Sequence, residues 1–320
     1  WSSDVCSSDL RVDSTVWDED AGLWRVETGD GASTMARYCI MATGCLSAVN
    51  TPEFDGLNDF AGETYHTAHW PDEGVDFTGK RVAVIGTGSS GVQSIPVIAE
   101  QAASLHVFQR TANYVIPSHN RAMEADEVAE IKANYPELRA RAKKSFSGNY
   151  FPVAGPSALA VSKEERDREY EARWAQGGLA FMAAYADFQT SDEANETASA
   201  FIRNKIRGIV DDSEVAELLA PKQLFQCKRL CVGAGYNEAY NRDSVALIDI
   251  SETTIERITP EGVCVDGRVY EVDALVLATG FDAVTGALKR IDIQGVGAIT
   301  LRDKWEDGPR AYLGLGVAGF

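Results

Sequence analysis

The chain has 320 residues, 45% of them hydrophobic and 24% charged, which is the composition of an ordinary globular protein. This length can bury a sizeable core and usually divides into about two domains. Asp and Glu number 48 against 30 Lys and Arg, so the formal charge is −18 at pH 7. Such acidity argues against general binding to nucleic acid or anionic membranes, and no apolar run reaches the roughly 18–20 residues that span a bilayer.

The six cysteines form no C-x-x-C pair and no plausible zinc cluster with the four histidines. Scattered cysteines are typical of a reducing compartment, where they pack as small apolar groups. The first residues do not have the pattern of a signal peptide. We therefore expect a cytoplasmic protein with no structural disulfide and no bound metal.

Residues 1–10 read WSSDVCSSDL and repeat Ser-Ser-Asp without a hydrophobic period. The segment is similar to the translation of a sequencing adapter joined to a broken reading frame, with a polar N-terminal tail as the alternative. We exclude it from the fold and expect the natural chain to begin upstream of Arg11. At the other end, residues 311–320 stop inside an apolar, strand-like run.

The next segments predict β-structure, a linker and a helical region in turn. Residues 14–17 and 23–28 predict a hairpin, residues 36–42 a buried strand, and residues 45–76 an ordered linker without regular period. Residues 121–220 predict a helical insertion that ends at Pro221. Further strands are predicted over residues 81–85, 105–109, 245–250, 255–258, 262–265, 268–271 and 274–278.

Residues 82–93 read VAVIGTGSSGVQ, a G-x-G-x-x-G motif between an apolar strand and a helix predicted from about residue 91 to residue 103. Its glycines allow a tight turn, close approach of the backbone to a pyrophosphate, and a helix N-terminus that favours negative charge. A tight turn without ligand is the alternative. The predicted dinucleotide contacts are Gly86, Thr87, Gly88, Ser89, Ser90, Gly91 and Gln93.

The strand after this motif ends in Phe108-Gln109-Arg110-Thr111. NAD sites usually carry an acid near this point, which binds the ribose hydroxyls. Here no acid is present, whereas Arg110, followed by Thr111, can pair with a 2′-phosphate. The sequence thus favours NADPH over NADH, with a solvated surface arginine as the alternative.

Two apolar strands end in Ala-Thr-Gly, at Thr43-Gly44 and at Thr279-Gly280. In flavoproteins with two dinucleotide domains, such ends mark crossings between the domains, near bound cofactor. Each could instead be a plain strand terminus. Together, on either side of one G-x-G-x-x-G, they favour a flavoprotein.

Residues 60–71 read FAGETYHTAHWP. They resemble the F-x-G-x-x-x-H-x-x-x-W-P fingerprint of Baeyer–Villiger monooxygenases, in which this linker couples the two domains during cofactor movement. The five matched positions are Phe60, Gly62, His66, Trp70 and Pro71. We assign His66 no acid–base role, and on its own it would be a packed linker histidine.

Further segments match the family in order, and the chain most resembles the phenylacetone and cyclohexanone monooxygenase group. Tyr240 stands where phenylalanine is commoner. The matching segments are residues 108–114, 228–230, 235–236, 240–242, 278–283 and 301–308. The resemblance implies an α/β flavoprotein with two Rossmann-like dinucleotide-binding domains, a helical insertion and an incomplete FAD domain.

The resemblance also implies a division of the chain. Its parts are the FAD domain (11–50 and 276–320), the linker (51–76), the NADP-binding domain (77–120 and 225–275) and the helical insertion (121–224). The family's FAD-binding G-x-G-x-x-G would precede Arg11. We therefore expect this chain alone to bind FAD poorly and to show no turnover.

The implied activity uses FAD and NADPH to insert one oxygen atom of O₂ beside a ketone carbonyl, giving an ester or lactone through a flavin peroxide. Carried over by position, Arg229 is the catalytic arginine, Lys228 a 2′-phosphate partner and Trp305 a contact of the nicotinamide nucleotide. A guanidinium favours the deprotonated peroxide and stabilises the oxyanion that follows. Without the resemblance, the first two residues would be surface charges and the third a core residue.

Two other functions stay open. Flavin enzymes that oxygenate nitrogen or sulfur carry a similar linker but typically lack the Trp70-Pro71 ending, which favours the ketone reaction here. A non-catalytic NADP-binding protein would require a true start codon near Arg11. A disulfide reductase would need a redox cysteine pair, which this sequence lacks.

Overall fold

A computed structural model describes residues 10–145, 148 and 155–320. The adapter-like segment therefore lies outside the described residues, except for Leu10. Within the described part of the chain, no helix combines the length and apolarity that a membrane span requires. The five cysteines of the same part are free thiols.

The described residues form fourteen strands and eight helices. The strands are β1 (Val12–Asp18), β2 (Leu23–Thr28), β3 (Ser33–Ala36), β4 (Glu63–His66), β5 (Arg81–Ile85), β6 (Ser104–Gln109), β7 (Val115–Pro117), β8 (Cys231–Gly233), β9 (Val245–Asp249), β10 (Ile255–Thr259), β11 (Gly262–Val265), β12 (Arg268–Glu271), β13 (Ala274–Leu277) and β14 (Asp292–Gln294). The helices are α1 (Ser89–Gln101), α2 (Ala125–Ala133), α3 (Tyr135–Lys143), α4 (Lys163–Gln176), α5 (Asp192–Ile209), α6 (Ser213–Leu219), α7 (Gly286–Arg290) and α8 (Leu301–Lys304).

The chain folds into two compact units. The first contains the residues up to Asn50 and those from Gly280 onward, and the second runs from Thr51 to Thr279. The second unit is therefore one continuous stretch of chain inserted into the first. The assignment of the units to FAD and NADP stays a prediction.

The first unit contains a four-stranded sheet in the order β14-β1-β2-β3. The predicted hairpin is confirmed, since β1 and β2 pair antiparallel with Trp17 opposite Trp24. A small apolar core around Ile293, Leu301 and Trp305 completes this unit.

The buried strand predicted over residues 36–42 is wrong for nearly all of its length. The strand β3 ends at Ala36, and residues 37–42 have no regular structure. Tyr38 and Ile40 are 83% and 88% exposed. An apolar pattern alone does not make a strand, because the main-chain N–H and C=O groups also need a neighbouring strand. Among the described residues, no strand pairs with this segment.

The second unit is built on a five-stranded parallel sheet in the order β4-β13-β5-β6-β9. Its central strand alternates between two cores: Val82 and Val84 pack with the helices, while Ala83 and Ile85 pack with β10, β11 and β12. Both faces are therefore buried, which explains why β5 and β13 are continuous apolar runs.

The edge strand β4 lies within the segment for which no regular structure was predicted. Its four residues pair with β13, from Glu63 opposite Ala274 to His66 opposite Leu277. The chain runs from β5 outward through β6 to β9, whereas β13 and β4 lie on the other side of β5. The order of the strands thus reverses at β5. In open parallel sheets, ligands bind beyond the carboxyl ends of the strands at such a point.

The region predicted as a helical insertion contains α2 to α6. Helix α5 buries Ile202 and Ile206 on one face, as its apolar period predicts. Pro221 follows α6 closely. The strands predicted after this region are all present, with shifts of one residue at some ends.

Candidate functional site

The glycine loop between β5 and α1 is closely packed at its first and last glycines. Gly86 has φ +108°, and a Cβ atom there would lie 2.5 Å from the carbonyl oxygen of Ala278. A Cβ atom at Gly91 would lie 2.2 Å from the carbonyl oxygen of Gly86. Neither position can hold a side chain without displacing main-chain atoms, so the shape of the loop depends on both glycines.

The middle glycine of the motif faces open space. No atom lies within 4 Å of the position that a Cβ atom would take at Gly88. Gly88 is also the N-cap of α1, and no side chain caps the helix there. The first N–H groups of a helix attract anions when no side chain satisfies them. The loop therefore has the form of a phosphate cradle, bordered by the half-buried Ser89 and Ser90.

The loop after β6 is attached to this cradle. The Thr87 hydroxyl donates to the Thr111 carbonyl at 3.2 Å, and Asn113 Nδ2 donates to the Thr87 carbonyl at 2.7 Å. Arg110 is exposed, and it forms no ion pair with any described residue. A free guanidinium therefore lies on a loop that is bonded directly to the glycine loop.

Gln109 ends β6, near the point where an NAD site would carry an acid, and its side chain is a buried amide. It is 2% exposed, and its Nε2 donates to the Leu218 carbonyl at 2.8 Å. Its Oε1 has no partner among the described residues. The end of β6 therefore presents no negative charge to a nucleotide.

Lys228 and Arg229 are exposed and precede β8, which packs on α1. Ser89 Oγ lies 3.6 Å from Cys231 Sγ, and Gln93 Nε2 donates to the Val232 carbonyl at 3.2 Å. Burial raises the pKa of the Cys231 thiol, and the Ser89 hydroxyl and the positive charge of Arg229 offset only part of this rise. The predicted cationic pair thus adjoins a strand that contacts the first turns of α1.

Tyr240, the departure from the family pattern, is buried in a short segment, Glu238–Asn241, that contacts α1. Its hydroxyl donates to the Tyr236 hydroxyl at 3.1 Å. Burial raises the pKa of both phenols. The additional hydroxyl therefore has a buried hydrogen-bond partner.

Two predicted motifs meet at the fingerprint histidine. His66 Nδ1 accepts from the Ala68 N–H at 3.0 Å, so Nε2 carries the hydrogen and donates to the Thr279 hydroxyl at 3.1 Å. Thr67 adds a second bond between the same two segments, since its N–H donates to the Leu277 carbonyl. The fingerprint is thereby bonded to the second Ala-Thr-Gly end.

The other fingerprint residues fix the two ends of β4. A Cβ atom at Gly62 would lie 2.3 Å from the Asp273 carbonyl oxygen and 2.6 Å from the Phe60 ring. Trp70 is 37% exposed and packs against Tyr65 and Phe77. Pro71 begins the turn that Gly74 closes through its N–H. These residues hold the edge strand in place and supply no acid–base group.

The remaining predicted residues lie in the first unit. Thr43 and Gly44 follow an irregular segment, where Ser47 Oγ donates to the Thr43 carbonyl at 2.8 Å. Gly280 accepts from the Asn50 N–H at 3.0 Å. Trp305 is 5% exposed, and its Nε1 donates to the Arg310 carbonyl. It packs in the core of this unit, and its contact with a nucleotide stays a prediction.

Sequence reasoning missed three amide side chains that connect the loops of the site. Asn113 and Gln109 lie within the predicted segment 108–114 but were given no role. Gln223 carries no motif signal at all. Each of them bonds a main-chain carbonyl group, and only the tertiary structure shows which one.

Comparisons with known proteins agree with this geometry. A model of the flavin-binding monooxygenase-like family matches residues 3–127. A Baeyer–Villiger monooxygenase of Pseudooceanicola batsensis is 44% identical over 96% of this chain and 56% of its own length. A phenazine N-monooxygenase of Lysobacter antibioticus is 39% identical over 97% of this chain and 57% of its own length.

Solved structures show the same architecture. The crystal structure of OTEMO in complex with FAD and NADP has a TM-score of 0.95 and 40% identity, over 98% of this chain and 60% of that one. The predicted α/β fold of a Rossmann-type flavoprotein is thus confirmed. The chain spans less than two thirds of the length of each relative named. Over the length that they share, it is similar to Baeyer–Villiger monooxygenases, and over residues 3–127 to the flavin-binding monooxygenase-like family.

Proposed function

We propose that the whole protein is an FAD- and NADPH-dependent Baeyer–Villiger monooxygenase, which inserts one oxygen atom of O₂ next to a ketone carbonyl to give an ester or lactone. The present chain would supply its NADPH-binding part. The proposal is carried by one observation: a glycine cradle with open space at Gly88, bonded to a loop that presents the exposed Arg110 and no acid.

The residues of the second unit fit NADPH. The loop from Gly86 to Gly91 would hold the pyrophosphate, because main-chain N–H groups at the start of α1 favour negative charge. Arg110 and Thr111, together with Lys228, would bind the 2′-phosphate. A guanidinium suits this task because its planar fork of donors matches phosphate oxygens and stays charged.

FAD would supply the reaction with O₂. The positions that we propose beside it are Thr43, Gly44, Thr279 and Gly280. Among the described residues, the cradle proposed for NADPH is the only G-x-G-x-x-G that joins a strand to a helix; residues 314–319 repeat the glycine spacing in a turn segment without a helix. We therefore assign no flavin pyrophosphate site to these four residues. We expect this chain, purified alone, to retain no stoichiometric FAD, and stoichiometric FAD would overturn that expectation.

Arg229 is the residue that we propose for catalysis. A guanidinium stabilises the negative charge that develops on oxygen when a ketone carbonyl is attacked. Lysine would be a poorer substitute, because it lacks the planar fork and can lose its proton when buried. In the whole protein, we expect Arg229→Ala to abolish ester formation while NADP⁺ still binds.

A second candidate is oxygenation of nitrogen, favoured by the similar coverage of the phenazine N-monooxygenase. Both activities would use the same NADPH cradle, so the cradle does not separate them. The whole protein should be given a cyclic ketone and a phenazine in turn, each with NADPH and O₂. An ester or lactone supports the proposal, whereas an N-oxide alone supports the second candidate. NADP⁺ binding without either product would indicate a non-catalytic NADP-binding protein.

A further inference from the structure

The position of Arg110 depends on the main chain that carries it. The residue lies between β6 and β7, in a loop without regular structure. Its side chain is exposed, and no described acid pairs with it. A cation that must meet one phosphate group therefore needs a loop that is fixed by hydrogen bonds from other segments.

One side of this loop is held by the glycine cradle, through Thr87 and Asn113 as described above. On the other side, Gln223 bonds the loop at two points. Gln223 Nε2 donates to the Ala112 carbonyl at 2.7 Å, and the Tyr114 hydroxyl donates to the Gln223 carbonyl at 2.7 Å. Gln223 thus binds two residues of the loop, one with its side chain and one with its main chain.

The same anchor closes the loop that carries Lys228. The N–H of Cys231 donates to the Tyr114 carbonyl at 3.0 Å. Residues 224–230 therefore leave from Gln223 and return at Cys231, and both ends are bonded to Tyr114. The segments of Arg110 and Lys228, 118 residues apart in sequence, are therefore both attached at Gln223 and Tyr114.

We propose that Gln223 is a positioning residue for the 2′-phosphate of NADPH. Through Ala112 and Tyr114 it holds Arg110 and Lys228 so that both cations face one phosphate group. This inference rests on the proposed NADPH site. A neutral amide suits the place, because it donates to a carbonyl without adding negative charge near an anion.

The test compares two nucleotides that differ by the phosphate alone. NADP⁺ and NAD⁺ are titrated by calorimetry into the full chain and into Gln223→Met, which keeps the length of the side chain and removes its N–H donor. Loss of one such hydrogen bond corresponds to about a fivefold change in Kd. We expect Kd for NADP⁺ to rise about fivefold and Kd for NAD⁺ to change by less than about twofold.

Two further variants keep the test decisive. Tyr114→Phe removes the other hydrogen bond to Gln223 and should give the same selective loss, even if Gln223→Met fails to fold. Gln101→Met is the matched control: its Oε1 accepts from the Phe77 N–H near the far end of α1, so neither Kd should change.

The ratio of the two Kd values decides the outcome. Equal weakening of NADP⁺ and NAD⁺ would indicate a merely structural role and would overturn the inference. Unchanged affinities in both Gln223→Met and Tyr114→Phe would overturn it as well. If the unaltered chain bound NAD⁺ and NADP⁺ equally, or neither of them, the proposed NADPH function itself would fail, and this inference with it.

Discussion

The glycine cradle and the cationic segments of the site are held in place by different means. Around Gly86 and Gly91, main-chain atoms lie so close that no Cβ atom fits. Arg110 and Lys228 are exposed side chains on irregular segments, and amide hydrogen bonds fix those segments. The cradle should thus fail when an atom is added, and phosphate recognition should fail when a donor is removed.

The largest effect is expected at the cradle, from Gly91→Ala. The added methyl group would lie 2.2 Å from the Gly86 carbonyl oxygen, so the loop must move. Overpacking of this kind costs about 1–3 kcal/mol. We expect NADP⁺ and NAD⁺ affinity to fall together by more than about tenfold. Calorimetric titration measures both values.

Gly208→Ala is the control, because nothing lies within 4 Å of its Cβ position in α5. It should leave nucleotide binding unchanged and stabilise the fold slightly. Tight NADP⁺ binding by Gly91→Ala would show that the cradle is not the nucleotide site.

A smaller and selective effect is expected from Arg110→Ala. Removing an exposed cation should weaken NADP⁺ about tenfold, since a charge-assisted hydrogen bond to phosphate is lost. NAD⁺ affinity should stay within about twofold. Arg139→Ala, an exposed arginine on α3, serves as the matched control. Equal loss for both nucleotides would contradict the assignment of Arg110 to the 2′-phosphate.

A third variant tests the fingerprint contact without touching the cradle. Thr279→Val removes the hydroxyl that accepts from His66 Nε2 and keeps the shape of the side chain. The free energy of unfolding should fall by about 1 kcal/mol, as for one partly buried hydrogen bond. Urea unfolding monitored by tryptophan fluorescence measures it. Thr253→Val is the control, because it removes a hydrogen bond to the exposed Asp266. Its free energy of unfolding should fall by less. Equal decreases in the free energy of unfolding would mean that the fingerprint contact stabilises the fold no more than an exposed hydrogen bond does.

The smallest effect is expected at His106, on the face of the sheet that packs with β10, β11 and β12. Burial, assisted by the charge of Arg268, holds the pKa of His106 below its ordinary value, and its Nδ1 has no partner among the described residues. Below pH about 6.5 the unfolded chain takes up a proton that the folded chain resists. This contribution to stability is therefore present above that pH and is lost as the pH falls.

The measurement is the urea midpoint at pH 7.5 and at pH 5.5. We expect the urea midpoint to decrease from pH 7.5 to pH 5.5. The decrease should be smaller in His106→Gln than in the unaltered chain. His119→Gln, which changes an exposed histidine, should retain the full decrease. At pH 7.5, His106→Gln should bind NADP⁺ normally. Weakened binding would mean that the two faces of the sheet are coupled.

Local patterns were sufficient to predict β5, the glycine loop and α1, because an apolar strand, spaced glycines and a helix period are all contained within about twenty residues. They failed where a partner was remote or lacking. The edge strand β4 pairs with β13, and His66 binds a threonine 213 positions later, so neither could be read from its neighbourhood. Residues 37–42 have the period of a strand and no partner among the described residues.

The two crossings of the chain between its units meet at one place in the first unit. The Asn50 N–H donates to the Gly280 carbonyl, and the first and last strands of the inserted unit, β4 and β13, are neighbours in its sheet. A segment whose ends already touch can be excised, or opened elsewhere by circular permutation, with little loss of chain entropy. Residues 51–279 are therefore a natural module for transplantation, which would carry the proposed nucleotide cradle, Arg110 and Lys228 into another host chain.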